Sequence, residues 1–274
     1  MSKRTPASGN RASDRLKRPA TPRCDRELDQ AIAEDRIGIH FQPQLEPATG
    51  RTLGVEALAR WDGEVSAVRL FERAARCGLT ERLSRFAQRK ALRIVGAWTG
   101  PLTALRLSIN LLAEDLAHEG YVDWLLEEIA AAGLAPDRIT VEITESSLLA
   151  DQDTAAERLG RLRDAGVTIA VDDFGTGYAS LSYLTTLPLD ALKIDRGMIV
   201  DLVDGTRDRI VVRAMIGLAR ELKLKVIAEG VETAGQLALL TDWGCDLYQG
   251  FLGAEALDER ELERFIAGSL ADAA

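Results

Sequence analysis

The segment Val171-Asp172-Asp173-Phe174-Gly175-Thr176-Gly177-Tyr178 sets two adjacent carboxylates at the end of an apolar run and follows them with glycines. Residues of these types at this spacing suit a site for a hard metal ion. Further acidic or amide residues fall late in other short apolar runs: Glu56, Asn110, Glu142, Glu145, Asp195, Glu229 and Glu232. A single carboxylate of this kind is as readily a surface group or a helix cap. Glu56, Glu142, Asp172, Asp173 and Glu229 gathered in one cavity are different, because an unpaired buried carboxylate costs several kcal/mol. Two divalent ions together with Lys193 would balance these five charges.

Such gathering requires elements that all aim the same way. Thr168-Ile169-Ala170-Val171, preceded by Gly166, reads as a buried strand with the paired aspartates at its C-terminal tip. Gly54–Leu58, Ser108–Asn110, Val141–Glu145, Leu192–Asp195 and Ala228–Glu232 repeat the arrangement. Between them lie helix-period stretches at Leu83–Trp98, Tyr121–Ala132, Ala155–Ala165, Arg209–Leu222 and Ala234–Trp243. The alternation predicts a parallel sheet with right-handed crossovers, closed as a TIM-like (β/α)8 barrel whose active face is the C-terminal end of the strands. A period of two turns Leu192 and Ile194 toward helices while Lys193 and Asp195 face the lumen. Val141 and Ile143 alternate with Glu142 and Thr144 in the same way.

These motifs resemble the EAL-domain family of cyclic di-GMP phosphodiesterases. The resemblance is carried by Glu56-Ala57-Leu58-Ala59-Arg60-Trp61, Asn110, Val141–Glu145, Asp172–Gly177, Leu192–Asp195, Ala228–Glu232 and Tyr248-Gln249-Gly250-Phe251, and it runs from about Leu28 to about Ala267. It implies hydrolysis of cyclic di-GMP to linear pGpG with two Mg2+ or Mn2+ ions. Oxygen-rich ligands agree with those metals, since Zn2+ more often recruits His or Cys. His40 and His118, the chain's two histidines, fall in no matching motif.

By the same resemblance, Glu56, Asn110, Glu142 and Asp172 hold one ion. Asp172, Asp173 and Glu229 hold or face the second, with Asp172 bridging. Lys193 orients the attacking water, with Glu229 or Asp173 assisting as base. Arg60 pairs with a substrate phosphate and Gln42 and Gln249 contact the nucleotide, while Leu58, Asp195 and Glu232 belong to the nucleotide-binding motifs. Phe174 to Leu181 corresponds to the family's mobile loop, which Glu145 anchors.

The chain departs from the family pattern in three places. The loop after Trp61 is shortened to Asp62-Gly63-Glu64-Val65-Ser66, Ala74-Ala75 stands where Ala-Glu is usual, and Leu252–Leu257 replaces an aromatic-rich, proline-ended stretch. These departures bear on substrate affinity and regulation more than on metal chemistry.

The 274 residues suit one barrel over residues 25–270, with little left for a second domain. Residues 1–24 read as a disordered basic tail, with Lys3, Arg4, Arg11, Arg15, Lys17, Arg18 and Arg23 against Asp14. The whole chain is −9, so the body is strongly acidic and a nucleic-acid polymer is not an expected partner. No membrane span or signal peptide is legible, and Cys24, Cys77 and Cys245 read as reduced thiols, so a cytoplasmic location is expected. The resemblance also implies a homodimer through the barrel face near the loop after Asp173, and a regulatory protein partner is possible. The alternative to an enzyme is a catalytically silent cyclic di-GMP receptor that acts through such a partner.

Overall fold

The computed structural model describes residues 25–61, 66–144, 147, 152–175 and 183–272. The basic tail, Asp62–Val65, Glu145 and most of the loop after Asp173 lie outside them. Helix α1 (Arg26–Ala33) leads into strands β1 (Gly38–Leu45) and β2 (Thr52–Arg60). After α2 (Ala67–Cys77) and α3 (Thr80–Gly96) comes β3 (Arg106–Leu111), then α4 (Ala113–Ala117), α5 (Tyr121–Ala131) and β4 (Ile139–Thr144). Helix α6 (Gln152–Asp164), β5 (Thr168–Phe174), α7 (Tyr183–Thr186) and β6 (Ala191–Ile194) follow. The chain continues through α8 (Arg196–Ile199), α9 (Thr206–Glu221), β7 (Lys225–Ala228), α10 (Ala234–Trp243), β8 (Leu247–Tyr248) and α11 (Glu259–Asp272). The eight strands close a barrel in chain order.

The expectation of a parallel sheet holds from β2 through β8 and fails at β1, which is antiparallel to both β2 and β8. The reason is the connection. Only Glu46 to Arg51 separate the first two strands, whereas a parallel pair needs a crossover of a dozen or so residues. Glu46 N donates to Arg51 O at 2.9 Å, and Gly50 takes a left-handed φ of 69° to make the turn. On the other edge, Phe41 and Leu257 exchange both backbone hydrogen bonds, at 2.7 and 3.0 Å. Pro43, two residues on, turns its donorless nitrogen to this sparse seam and leaves the β1–β2 ladder unharmed. The divergent stretch Leu252–Leu257 therefore has a structural task in closing the barrel.

The period of two sorts the strands into layers. Val55, Leu107, Ile109, Val141, Ile143, Ile169, Leu192, Ile194 and Val226 are buried against the helices, while Gln44, Glu56, Ser108, Glu142 and Lys193 are buried on the lumen side. Gly78 and Gly244 end α2 and α10 with φ of 70° and 81°, turning the chain back toward the sheet. At the N-terminal mouth, Gly54, Thr140 and Ala191 are too small to fill the barrel and leave a cavity of about 470 Å3 with Gln44 on its wall. The carboxylates converge at the other end.

Candidate metal centre

Lys193 is 0% exposed and carries the centre of the site. Its Nζ lies 2.5 Å from Glu142 Oε2, 2.7 Å from Glu229 Oε1, and 3.3 Å from both Glu56 Oε2 and Asp172 Oδ2. These groups come from β2, β4, β5, β6 and the residue after β7; Glu56 lies midway along β2, and the others lie late in or just past their strands. Asn110, at the end of β3, donates from Nδ2 to Glu56 Oε1 at 2.9 Å. Gln249 donates to Glu56 Oε2 at 2.8 Å and Glu229 Oε1 at 3.0 Å, so its amide supports the carboxylates directly.

Strict alternation would point Asp173 away from Asp172 and out of the lumen. The structure removes the conflict with a bulge: Val171 pairs with Leu192 and Phe174 with Ile194, so β5 carries an extra residue there. Asp173 takes a left-handed φ of 55°, which Asp tolerates better than most residues, and its N–H donates to Asp172 Oδ1 at 2.9 Å. Oxygens of Asp172, Asp173 and Glu229 then all lie within 4.8 Å of one another.

One ammonium among these carboxylates leaves the cluster with excess negative charge, and the protonation equilibria register it. Burial pushes Glu142 up to about 8 against the pull of Lys193, with Glu56 and Asp172 adding to the rise. Burial likewise pushes Glu229 up to about 8. Asp173 is raised by burial and by the neighbouring charges of Asp172 and Asp195. Glu56 also feels burial, yet Lys193, Gln249 and Asn110 together hold it below the ordinary value. Lys193 stays protonated because four carboxylates outweigh its burial. A set of oxygens that takes up protons for want of positive charge fits hard divalent cations.

A pH dependence follows. Glu142 and Glu229 bind protons more tightly in the folded chain than in the unfolded one, so they stabilise the fold at low pH and that contribution is lost as pH rises through about 8. With a chelator present, Tm should therefore fall between about pH 5 and pH 8.5. Mn2+ affinity should climb over the same range by roughly tenfold per unit for each proton displaced. A Tm and an affinity both flat across this range would contradict the charge assignment.

Beside the cluster lies a pocket of about 190 Å3 lined by Gln42, Arg196, Glu229, Glu232, Gln249 and Phe251, among others. Arg196 pairs with Glu232 at 2.6 Å and stands 5.8 Å over the ring of Phe251, which is 59% exposed. Asp195 caps α8 by accepting from Gly197 N at 2.8 Å. Leu58 and Arg60 share the lumen-side register of β2 with Glu56. Burial lowers the Arg60 pKa, and the charge of Glu56 acts against that shift.

The structure thus brings together Glu56, Asn110, Glu142, Asp172, Asp173, Lys193, Glu229 and Gln249. Gln42 and Glu232 line the pocket next to them. Glu145 and the loop beyond Gly175 lie outside the described residues. The sequence reading missed Gln44, whose Nε2 lies 3.4 Å from Glu142 Oε1 and 3.2 Å from Gln249 Oε1. It also missed Arg196 as a pocket residue. Alternation along β1, with Gln42 and Gln44 on one face, was the available signal for the first; nothing marked the second.

Fold and site together define a (β/α)8-type barrel protein built around a buried cluster of carboxylates and one lysine. The chain belongs to the EAL domain family, whose model matches residues 25–256. It is 39% identical to the cyclic di-GMP phosphodiesterase NbdA of Pseudomonas aeruginosa over 255 residues, 91% of this chain and 33% of that protein. The solved structure of the PaMucR phosphodiesterase in complex with c-di-GMP superposes with a TM-score of 0.81 at 36% identity, covering 86% of this chain and 98% of that one. The manganese and c-di-GMP complex of Klebsiella pneumoniae BlrP1 gives a TM-score of 0.73 at 34% identity, covering 79% and 55%. The chain spans about a third of the length of the curated relatives it matches first. No helix among the described residues is long and apolar enough to cross a membrane.

Proposed function

We infer that this barrel hydrolyses one phosphodiester bond of cyclic di-GMP, giving linear pGpG, with two Mg2+ or Mn2+ ions. The observation that carries this reading is the union of the carboxylate–lysine cluster with the adjoining pocket, which share Glu229 and Gln249. Glu56, Asn110, Glu142 and Asp172 would hold one ion, and Asp172, Asp173 and Glu229 the other. When bound, the ions supply a lowered pKa for the attacking water and neutralisation of charge on the phosphate.

The protein's own groups do the rest. Lys193 donates a hydrogen bond to the water and keeps it facing the phosphorus. A carboxylate oxygen of Glu229 or Asp173 takes its proton, a task suited to acids whose proton affinity is raised. Phe251 offers an open ring for a purine to stack upon, and Arg196 and Gln42 supply donors beside it. Arg60 meets a phosphate oxygen. The reaction takes place in the cytoplasm.

Incubating the purified chain with cyclic di-GMP and Mn2+ and separating the products tests the reading. Stoichiometric pGpG is expected. Cyclic di-GMP that is bound but recovered intact would instead support the silent receptor.

The proposal includes a homodimer. Helix α9 presents Ile210 at 65% exposure, with Val211, Ala214 and Leu218 also exposed and turned outward at helical spacing. A stripe of this kind, with Ala214 and Gly217 small enough for close approach, suits the same helix of a second copy. Ile210→Glu should halve the mass measured by light scattering and leave Tm within a few degrees, since the side chain is not in the core. An unchanged mass would remove α9 from the interface.

A further inference from the structure

Behind the strand that carries Asn110 lies a buried polar cluster to which the proposed hydrolysis gives no direct part. Ser84 and Gln88 on α3, Asp115 on α4 and Tyr121 on α5 are each at most 3% exposed. Ser84 Oγ donates to Asp115 Oδ2 at 2.6 Å, and Tyr121 Oη donates to Gln88 Oε1 at 2.8 Å. The cluster grips β3 where the strand ends. Gln88 Nε2 donates to the backbone carbonyl of Asn110 at 2.8 Å, and Asp115 Oδ2 accepts from Leu112 N at 3.1 Å.

Polar groups buried this deeply are costly unless fully satisfied, and Asp115 Oδ1 has no partner in the structure. Apolar side chains would pack α3 against β3 at less expense. What they could not do is fix the peptide on both sides of Leu111. Asn110 is a neutral member of the donor set, so the electrostatic pull that draws a carboxylate to a cation acts on it weakly. Its side-chain nitrogen is committed to Glu56 at 2.9 Å. Where its oxygen lies is therefore decided by where the backbone lies.

We propose that Gln88, held by Tyr121 and Asp115, is a positioning residue that sets the placement of Asn110 in the cation site. This rests on the metal-dependent reading given above. Supporting groups one step removed from a metal typically change its affinity 10- to 100-fold when removed.

The test is Mn2+ binding to the full chain, followed by the paramagnetic resonance signal of free Mn2+ with no nucleotide present. Gln88→Leu, close in volume but without the amide, should weaken binding roughly tenfold. Tyr121→Phe, which removes one hydroxyl, should weaken it less but measurably, and it carries the test if Gln88→Leu does not fold. Gln236→Leu, at a buried glutamine whose Oε1 accepts from the backbone N–H groups of Glu232 and Thr233 at the start of α10, is the control: Tm should fall and Mn2+ affinity should stay. Wild-type affinity in Gln88→Leu and Tyr121→Phe, with Tm lowered as in the control, would overturn the proposal. Wild-type protein that binds Mn2+ but leaves cyclic di-GMP intact would refute hydrolysis and not the positioning role. Wild-type protein that binds no Mn2+ would refute both.

Discussion

Asp172→Ala should lower the rate of cyclic di-GMP hydrolysis at least roughly 100-fold, about 3 kcal/mol of transition-state stabilisation. Asp172 is the residue proposed to serve both cations, and one of its oxygens lies within 4.8 Å of an oxygen of Asp173 and an oxygen of Glu229. The same substitution should not destabilise the chelated protein. Asp172 contributes to the repulsion that raises Glu142, Asp173 and Glu229, so removing it relieves an excess of negative charge. A dead enzyme with an equal or higher Tm in chelator separates a functional carboxylate from a structural one. Full activity at ordinary Mg2+ concentration would show that the assignment of Asp172 is wrong. Glu56→Ala and Glu142→Gln should abolish hydrolysis as well.

Lys193→Met should have the second large effect, and on two observables. The methionine keeps the apolar stem and removes the ammonium that touches Glu56, Glu142, Asp172 and Glu229. Deleting one partner of a buried ion pair commonly costs about 3 to 5 kcal/mol because the other charge stays behind. Thermal melts in chelator should thus show a marked loss of Tm that Mn2+ restores. Turnover should be lost while cyclic di-GMP affinity, read by calorimetry, is retained, since the lysine is assigned to the water and not to the nucleotide. Weakened nucleotide binding with unchanged turnover at saturation would reverse that assignment.

Much of this site was legible because a barrel strand exposes alternate residues to one enclosed lumen. Glu56, Asn110, Glu142, Asp172 and Lys193 each sit at a lumen position of a short apolar run, and a period of two is enough to place them. Asp173 was placed in the same cavity as a neighbour of Asp172, although strict alternation points it to the opposite face; the bulge in β5 is what reconciles the two. Strands β1 and β8 escaped the reading. The first contains Pro43, which argues against a strand unless its nitrogen faces an unpaired edge, and the second is two residues long. The antiparallel sense of β1 depends on a turn of a few residues, which strand and helix counting does not register. Gln88 reads as an ordinary polar residue of the helix-period stretch Leu83–Trp98 and Asp115 falls between the elements read, since nothing local to either reveals that β3 ends beside them.

The most direct test of the account is the dependence of pGpG formation on divalent cation. Protein stripped with chelator, incubated with saturating cyclic di-GMP and titrated with Mn2+, should show no product at first. The rate should then rise saturably, with calorimetry giving two Mn2+ bound per chain. Product formed at full rate in the presence of chelator, or cyclic di-GMP left intact at saturating Mn2+, would contradict a cation-dependent phosphodiesterase built on the Lys193 cluster.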